Sequence, residues 1–145
     1  MLRLSRELVK LVVPGPVSWG TPGPLQLSLG GCPWRVAVVS MLLCRTRRVQ
    51  VEPVLRRLLS KYPVPEMLCR AEDIEELVRP CGLYRNRARQ LVRFSSLWLG
   101  DGWEEMRELP GVGIYVADAV GLFCFGCTEL ECCDVELVEY VKTLQ

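Results

Sequence analysis

The stretch 34–44 is almost continuously apolar and long enough for a helix buried on every side. Behind it, Val54, Leu55, Leu58 and Leu59 recur at helical spacing with Arg56 and Arg57 opposite, which predicts a second helix over 52–61. Glu72 and Asp73 place negative charge in the first turn of a third helix, which ends at Arg79 because Pro80 follows. Within 84–98, Ala88, Leu91, Val92, Ser95 and Trp98 share one helical face, and Arg85, Arg89 and Arg93 share another. A short helix over 103–108, an apolar one over 114–125 and a terminal one over 135–144 complete the series, while 2–13 carries a short amphipathic pattern. Between 14 and 33, ten of twenty residues are Gly or Pro, which excludes regular helix or a central strand. No stretch alternates as a half-buried strand does, so the predicted fold class is all-α. Residues 1–30 read as a partly irregular Gly/Pro-rich N-terminal segment and 31–145 as one helical domain.

At 145 residues the chain can bury a single substantial core, and a composition half apolar and 24% charged excludes a disordered protein. No apolar run approaches the roughly 20 residues that span a bilayer. Arg3, Arg6, Glu7 and Lys10 interrupt the apolar start that a secretory signal needs. The expectation is a nuclear protein, or a cytoplasmic one in a prokaryote, with no membrane association and with eight reduced cysteines. Cys124 and Cys127 have a spacing that zinc uses, but neither a second such pair nor any histidine completes a tetrahedral set. No metal site is expected, and Cys124 reads as a small buried hydrophobe. The lack of histidine also excludes Ser-His-Asp and Cys-His catalysis, which leaves acid–base work to carboxylates, Tyr, Lys or Cys.

The net charge of +1 conceals an asymmetry, with 16 Lys/Arg against 7 Asp/Glu in residues 1–100 and 2 against 10 in 101–145. Arginines gather at 45, 47 and 48, at 56 and 57, and from 85 to 93, and their planar guanidinium groups suit phosphate. The sharpest local signal is Leu109-Pro110-Gly111-Val112-Gly113 between two predicted helices. Two glycines one residue apart permit a tight hairpin, and the amides beside them lead into a helix N-terminus, a geometry that holds phosphate. Followed by Tyr115 and Ala117, this is the form of a helix-hairpin-helix over about 101–125, which grips a DNA backbone without reading bases. Gly111, Val112 and Gly113 would make that contact. Asp134, nineteen residues after Tyr115, opens the last helix, where aspartate is also an ordinary N-cap.

A hairpin followed at this interval by an aspartate resembles the helix-hairpin-helix Gly/Pro/Asp superfamily of DNA base-excision glycosylases. Pro33-Trp34-Arg35, Leu43-Cys44-Arg45-Thr46, Lys61-Tyr62-Pro63, and Pro80-Cys81-Gly82-Leu83-Tyr84 with Arg87-Ala88 extend the likeness. They occur in the order and spacing of the methyl-CpG-binding-domain thymine glycosylases and their plant relatives. The resemblance implies a two-lobed helical glycosylase fold and a monofunctional enzyme of base excision repair, which hydrolyses the N-glycosidic bond of thymine or uracil mispaired with guanine. Asp134 would stabilise the oxocarbenium-like sugar and orient water. Tyr115 stands where bifunctional members carry a Schiff-base lysine, so no strand cleavage is implied. Together with Gln26 it would line the base pocket. Arg45 would enter the vacated stack and Leu83 would wedge beside the orphan base. Arg47 and Arg87 would join the hairpin at the DNA backbone. The implied partner is double-stranded DNA containing a mismatched or damaged base, bound by a monomer without cofactors. Two residues depart from the pattern, Cys44 in place of an asparagine and Glu136 in place of a lysine. The other readings are a catalytically inactive glycosylase-like protein and a noncatalytic helix-hairpin-helix DNA-binding module.

Overall fold

A computed structural model describes residues 2–145. It is helical, and among the described residues the only β-pairing is an isolated bridge between Ser5 and Glu105. The helices are α1 (Arg6–Lys10), α2 (Pro33–Leu43), α3 (Arg48–Lys61), α4 (Pro65–Leu68), α5 (Ile74–Val78), α6 (Tyr84–Leu99), α7 (Ile114–Phe125) and α8 (Val135–Thr143). Single 3₁₀ turns form at Leu25–Leu29, Arg79–Cys81 and Met106–Glu108. No helix among the described residues is long and apolar enough to cross a membrane.

The unbroken apolar run becomes α2, which Pro33 starts at its first position, where a missing amide costs nothing. Trp34, Val36, Ala37, Val38, Val39, Met41 and Leu42 are all buried, because α7, α6 and α3 pack around this helix. The indole of Trp34 donates to Ser95 Oγ (3.0 Å), which ties α2 to α6 through a polar bond inside the core. Helices α4 and α5 also pack against α6. Residues 1–30 contribute Leu4, Val9, Leu25 and Leu29 to the same core as the helices that follow. Burial pushes the Cys124 thiol on α7 up to about 12, the behaviour of an inert apolar side chain.

Several boundaries differ from the sequence pattern. The amphipathic stretch over 2–13 condenses to Arg6–Lys10, capped by Ser5 Oγ accepting from the Leu8 amide (3.2 Å). Residues before it run extended against the chain at 104–106, through Arg6 N to Glu104 O and Met106 N to Leu4 O, both 2.9 Å. That pairing uses the backbone groups a helix over 103–108 would need, so only one 3₁₀ turn forms there. Helix α3 starts at Arg48, ahead of its interior Pro53. Pro53 offers no amide to the carbonyl of Val49, a residue 71% exposed whose backbone can be solvated instead. The third predicted helix begins only at Ile74, since the Asp73 carboxylate accepts from Lys61 and Tyr62 rather than capping the turn. The one-turn helix α4 carries no sequence signal of its own.

Candidate active site

Asp134 is the half-buried N-cap of α8, with Oδ2 accepting from the Leu137 amide (3.0 Å). Its Oδ1 accepts no hydrogen bond among the described residues. The loop that delivers Asp134 is fixed from behind by Asp118, an acid buried in the otherwise apolar α7. Its Oδ2 accepts from the amides of Glu131 (2.9 Å) and Cys132 (2.7 Å), and Arg107 pairs with Glu131 beside it. Leu137 is fully buried and the Tyr140 ring lies tilted against Phe123 of α7 with centroids 5.2 Å apart, while most of α8 is exposed.

Tyr115, in the first turn of α7, accepts from Gln26 Nε2 (3.0 Å), and the same amide nitrogen reaches Ser40 Oγ (3.4 Å). Gln26 is 2% exposed, and its Oε1 has no partner among the described residues. Burial first, and the Asp134 carboxylate second, push the Tyr115 hydroxyl well above its ordinary range, so it remains a neutral phenol. Desolvation, opposed by Arg87 and reinforced by Asp134, likewise raises the Cys44 thiol at the end of α2. The end of α2, the start of α7, the cap of α8 and the 3₁₀ turn at Leu25–Leu29 thus bring Cys44, Tyr115, Asp134 and Gln26 to one place. Glu136, exposed in the first turn of α8, adds the smallest of the charge effects on Tyr115.

Arg45 and Leu83 are the only non-glycine residues with positive φ among the described residues, at +58° and +48°. L side chains are rarely held there, and strained positions of this kind gather at functional sites. Leu83 is 64% exposed although it is a leucine at the start of a long helix, so it is no ordinary core residue. Arg45 and Arg47 are exposed, with Arg47 as the N-cap of α3.

Arg87 corrects an expectation. It is 8% exposed and turns inward, where its guanidinium donates to the carbonyls of Met41, Leu42 and Cys44 at the C-terminal end of α2. Engaged through both terminal nitrogens, with Nε unpaired among the described residues, this guanidinium caps a helix end and is withheld from any phosphate outside.

In the hairpin, Gly111 has φ +83°, and a Cβ there would meet the Gln90 side chain at 2.8 Å and Met41 Sδ at 3.0 Å. Gly113 is extended, and a Cβ on it would point into open space. Val112 corrects a second expectation, because its side chain is buried and its amide donates to Leu109 O (3.2 Å), closing the turn instead of facing outward. The amides of Gly113, Ile114 and Tyr115 have no partner among the described residues and sit at the positive end of a twelve-residue helix. This is an anion-binding arrangement.

No family model matches the chain. Its sequence is 36% identical over 96 residues to the methyl-CpG-binding domain protein 4-like protein of Arabidopsis thaliana, covering 65% of this chain and 22% of that one. It is 34% identical over 106 residues to a thymine-DNA glycosylase of Aeropyrum pernix, covering 67% and 48%. The fold matches that of endonuclease III in a non-covalent DNA complex with a TM-score of 0.62 and 25% identity, over 78% of this chain and 64% of that one. The chain belongs to the helix-hairpin-helix Gly/Pro/Asp superfamily. It spans less than half the length of either sequence relative.

Within this helix-hairpin-helix Gly/Pro/Asp fold, three contributors escaped the sequence reading. Ser40 and Asp118 are polar residues inside apolar helices, and that interruption was the available signal. Thr46 lies next to Arg45 and bonds Cys81 across the surface, which no local pattern announces. The two hairpin glycines should separate on substitution. Gly111→Ala is expected to lower stability by about 1–2 kcal/mol through backbone strain and collision with Gln90. Gly113→Ala should melt within about 0.5 kcal/mol of wild type yet bind matched and mismatched duplexes more weakly, since only its outer face is altered. Thermal melts and salt-titrated DNA binding read the two effects, and undiminished binding by Gly113→Ala would remove the hairpin from the interface.

Proposed function

We propose that this protein is a monofunctional DNA glycosylase that removes thymine or uracil mispaired with guanine from double-stranded DNA, acting as a monomer in base excision repair in the nucleus, or in the cytoplasm of a prokaryote. The observation that carries this reading is that Asp134, its Oδ1 unpartnered among the described residues, lies near enough to the Gln26–Tyr115 pair for its charge to act on the Tyr115 hydroxyl. Flanking it are the two strained, exposed residues suited to entering a base stack. The named activity of the Aeropyrum pernix relative agrees with it.

In this mechanism the target nucleotide leaves the stack and its base lies against Gln26. Because Nε2 is engaged by Tyr115 and Ser40, the group Gln26 has left to offer is the acceptor Oε1, which is sealed from solvent here and is uncovered when the base enters. Thymine and uracil present a donor at N3 that such an acceptor takes, whereas cytosine has a lone pair there. Leaving a buried carbonyl unpaired is costly, so supplying its missing donor favours these two bases. Departure of the base develops positive charge on the sugar, which the Asp134 carboxylate stabilises while its free Oδ1 orients the attacking water. Arg45 fills the vacated space, Leu83 supports the orphan base, and Arg47 with the amides of Gly113, Ile114 and Tyr115 holds phosphates. Tyr115, kept neutral, donates or accepts hydrogen bonds at the pocket wall and has no amine with which to form an imine.

The test is incubation with duplexes carrying G·U, G·T or A·T at one position, followed by alkali to reveal abasic sites. Release from G·U and G·T with A·T spared is the expected result, and release from none would defeat the reading. The same reactions run with borohydride should trap no covalent adduct, and the product strand should stay intact until alkali is added. A stoichiometric adduct would show a nucleophile that Tyr115 does not provide.

A further inference from the structure

The two strained corners are tied to each other. From the helix that Leu83 opens, Arg87 donates to the carbonyls of Met41, Leu42 and Cys44, the last residues before Arg45. The Arg87 amide itself donates to Leu83 O (3.0 Å), which roots the guanidinium on the wedge's own turn. In the opposite direction, Thr46 Oγ1, one residue past Arg45, donates its single hydrogen between the carbonyl of Cys81 (3.3 Å), two residues before Leu83, and that of Cys44 (3.4 Å) on its own side. Each tie therefore begins beside one corner and ends beside the other. Both corners hold backbone angles that an L residue adopts only under constraint, at Leu83 directly after Gly82 with φ +72°. Burying a guanidinium is costly, the more so here because Nε has no partner among the described residues, and capping α2 alone does not require an arginine from α6.

We propose that Arg87 and Thr46 are positioning residues that hold Arg45 and Leu83 as a single two-pronged unit, so that both side chains enter the duplex together at a fixed separation. The proposal rests on the glycosylase reading for what the prongs do, and on the hydrogen bonds for how they are joined. Entry of one prong alone leaves either the gap or the orphan base unsupported, and unstacking then goes uncompensated. A preformed pair avoids ordering two independent loops at the moment of insertion.

Thr46→Val removes the donor at nearly constant volume and Thr46→Ser keeps it. Arg87→Lys keeps the charge but cannot span three carbonyls. Two quantities are read: the single-turnover excision rate on G·U duplex divided by that on single-stranded uracil, and the fluorescence of 2-aminopurine placed next to the target, which brightens when its neighbour leaves the stack. Thr46→Val should lower the rate ratio about fivefold and Arg87→Lys about tenfold, and Thr46→Ser should restore it. In an Arg45→Ala or Leu83→Ala background, Thr46→Val should add nothing, because the prong it aligns is gone. Equal loss on both substrates, or effects that multiply in every background, would overturn the coupling. If Arg87→Lys fails to fold, the Val/Ser pair at Thr46 decides alone. Wild-type protein that brightens the probe without releasing base, with Thr46→Val dimming it, would sink the glycosylase reading and leave the coupling standing. No brightening by wild type would overturn both.

Discussion

Asp134→Asn is expected to bind duplex DNA as the wild type does and to release base at least about a thousandfold more slowly, the loss that follows removal of a principal transition-state charge. The substitution separates two roles that one residue combines. Oδ2 caps α8 through the Leu137 amide, and asparagine keeps an oxygen for that bond and is as good an N-cap as aspartate. The helix should therefore stay on α7, held by buried Leu137 and by the Tyr140–Phe123 contact, and the melting temperature should barely move. What the amide lacks is the negative charge facing the sugar. Asp134→Ala gives up both roles and should add a stability loss of about 1 kcal/mol to the same loss of rate. Single-turnover rates and thermal melts on the two variants make the comparison, and a rate near wild type in Asp134→Asn would leave the residue as a cap only.

The second large effect concerns the duplex itself. Arg45→Ala and Leu83→Ala should slow excision from a G·U duplex far more than from single-stranded uracil, where the nucleotide is already out of a stack. Unstacking is worth a few kcal/mol, so the combined variant should lose about a hundredfold on the duplex relative to the single strand. Folding should tolerate both changes, because Leu83 is 64% exposed and Arg45 is exposed as well. Alanine at either position retains the positive φ, a strain already present in the wild type. Equal losses on both substrates would reduce these residues to phosphate contacts or structural elements.

How far the sequence foretold this molecule depended on which forces act locally. The long helices were legible because burial imposes a period, as at Val54, Leu55, Leu58 and Leu59, or a continuous apolar run, as in α2. The ends were less so, since they are decided by partners distant in sequence. The stretch 103–108 loses its helix to pairing with 4–6, and Asp73 abandons its cap for Lys61 and Tyr62. Charge was the most misleading signal. Arg87 lies four, seven and eleven residues before Leu91, Phe94 and Trp98, so the period of α6 puts it on the buried face, but charge alone groups it with the exposed Arg85, Arg89 and Arg93. Composition reports that a cation is present, not which way it points. The glycines of the hairpin were read correctly as a turn, yet the buried Val112 shows that turn-closing and phosphate-facing amides cannot be told apart without coordinates. Resemblance supplied Gln26, Tyr115 and Asp134, which lie far apart along the chain. Their convergence follows from packing α7 against α2 and the 3₁₀ turn at Leu25–Leu29.

The measurement closest to the central claim is a single-turnover reaction of the wild-type protein, in excess, on a duplex containing one G·U pair, with free base quantified by chromatography and the strand weighed by mass spectrometry before any alkali. The account predicts free uracil and an intact abasic strand in equal amounts, and no free uracil from the Asp134→Asn reaction over the same time. Absence of free base from the wild type, or a strand already broken at the abasic site, would contradict it.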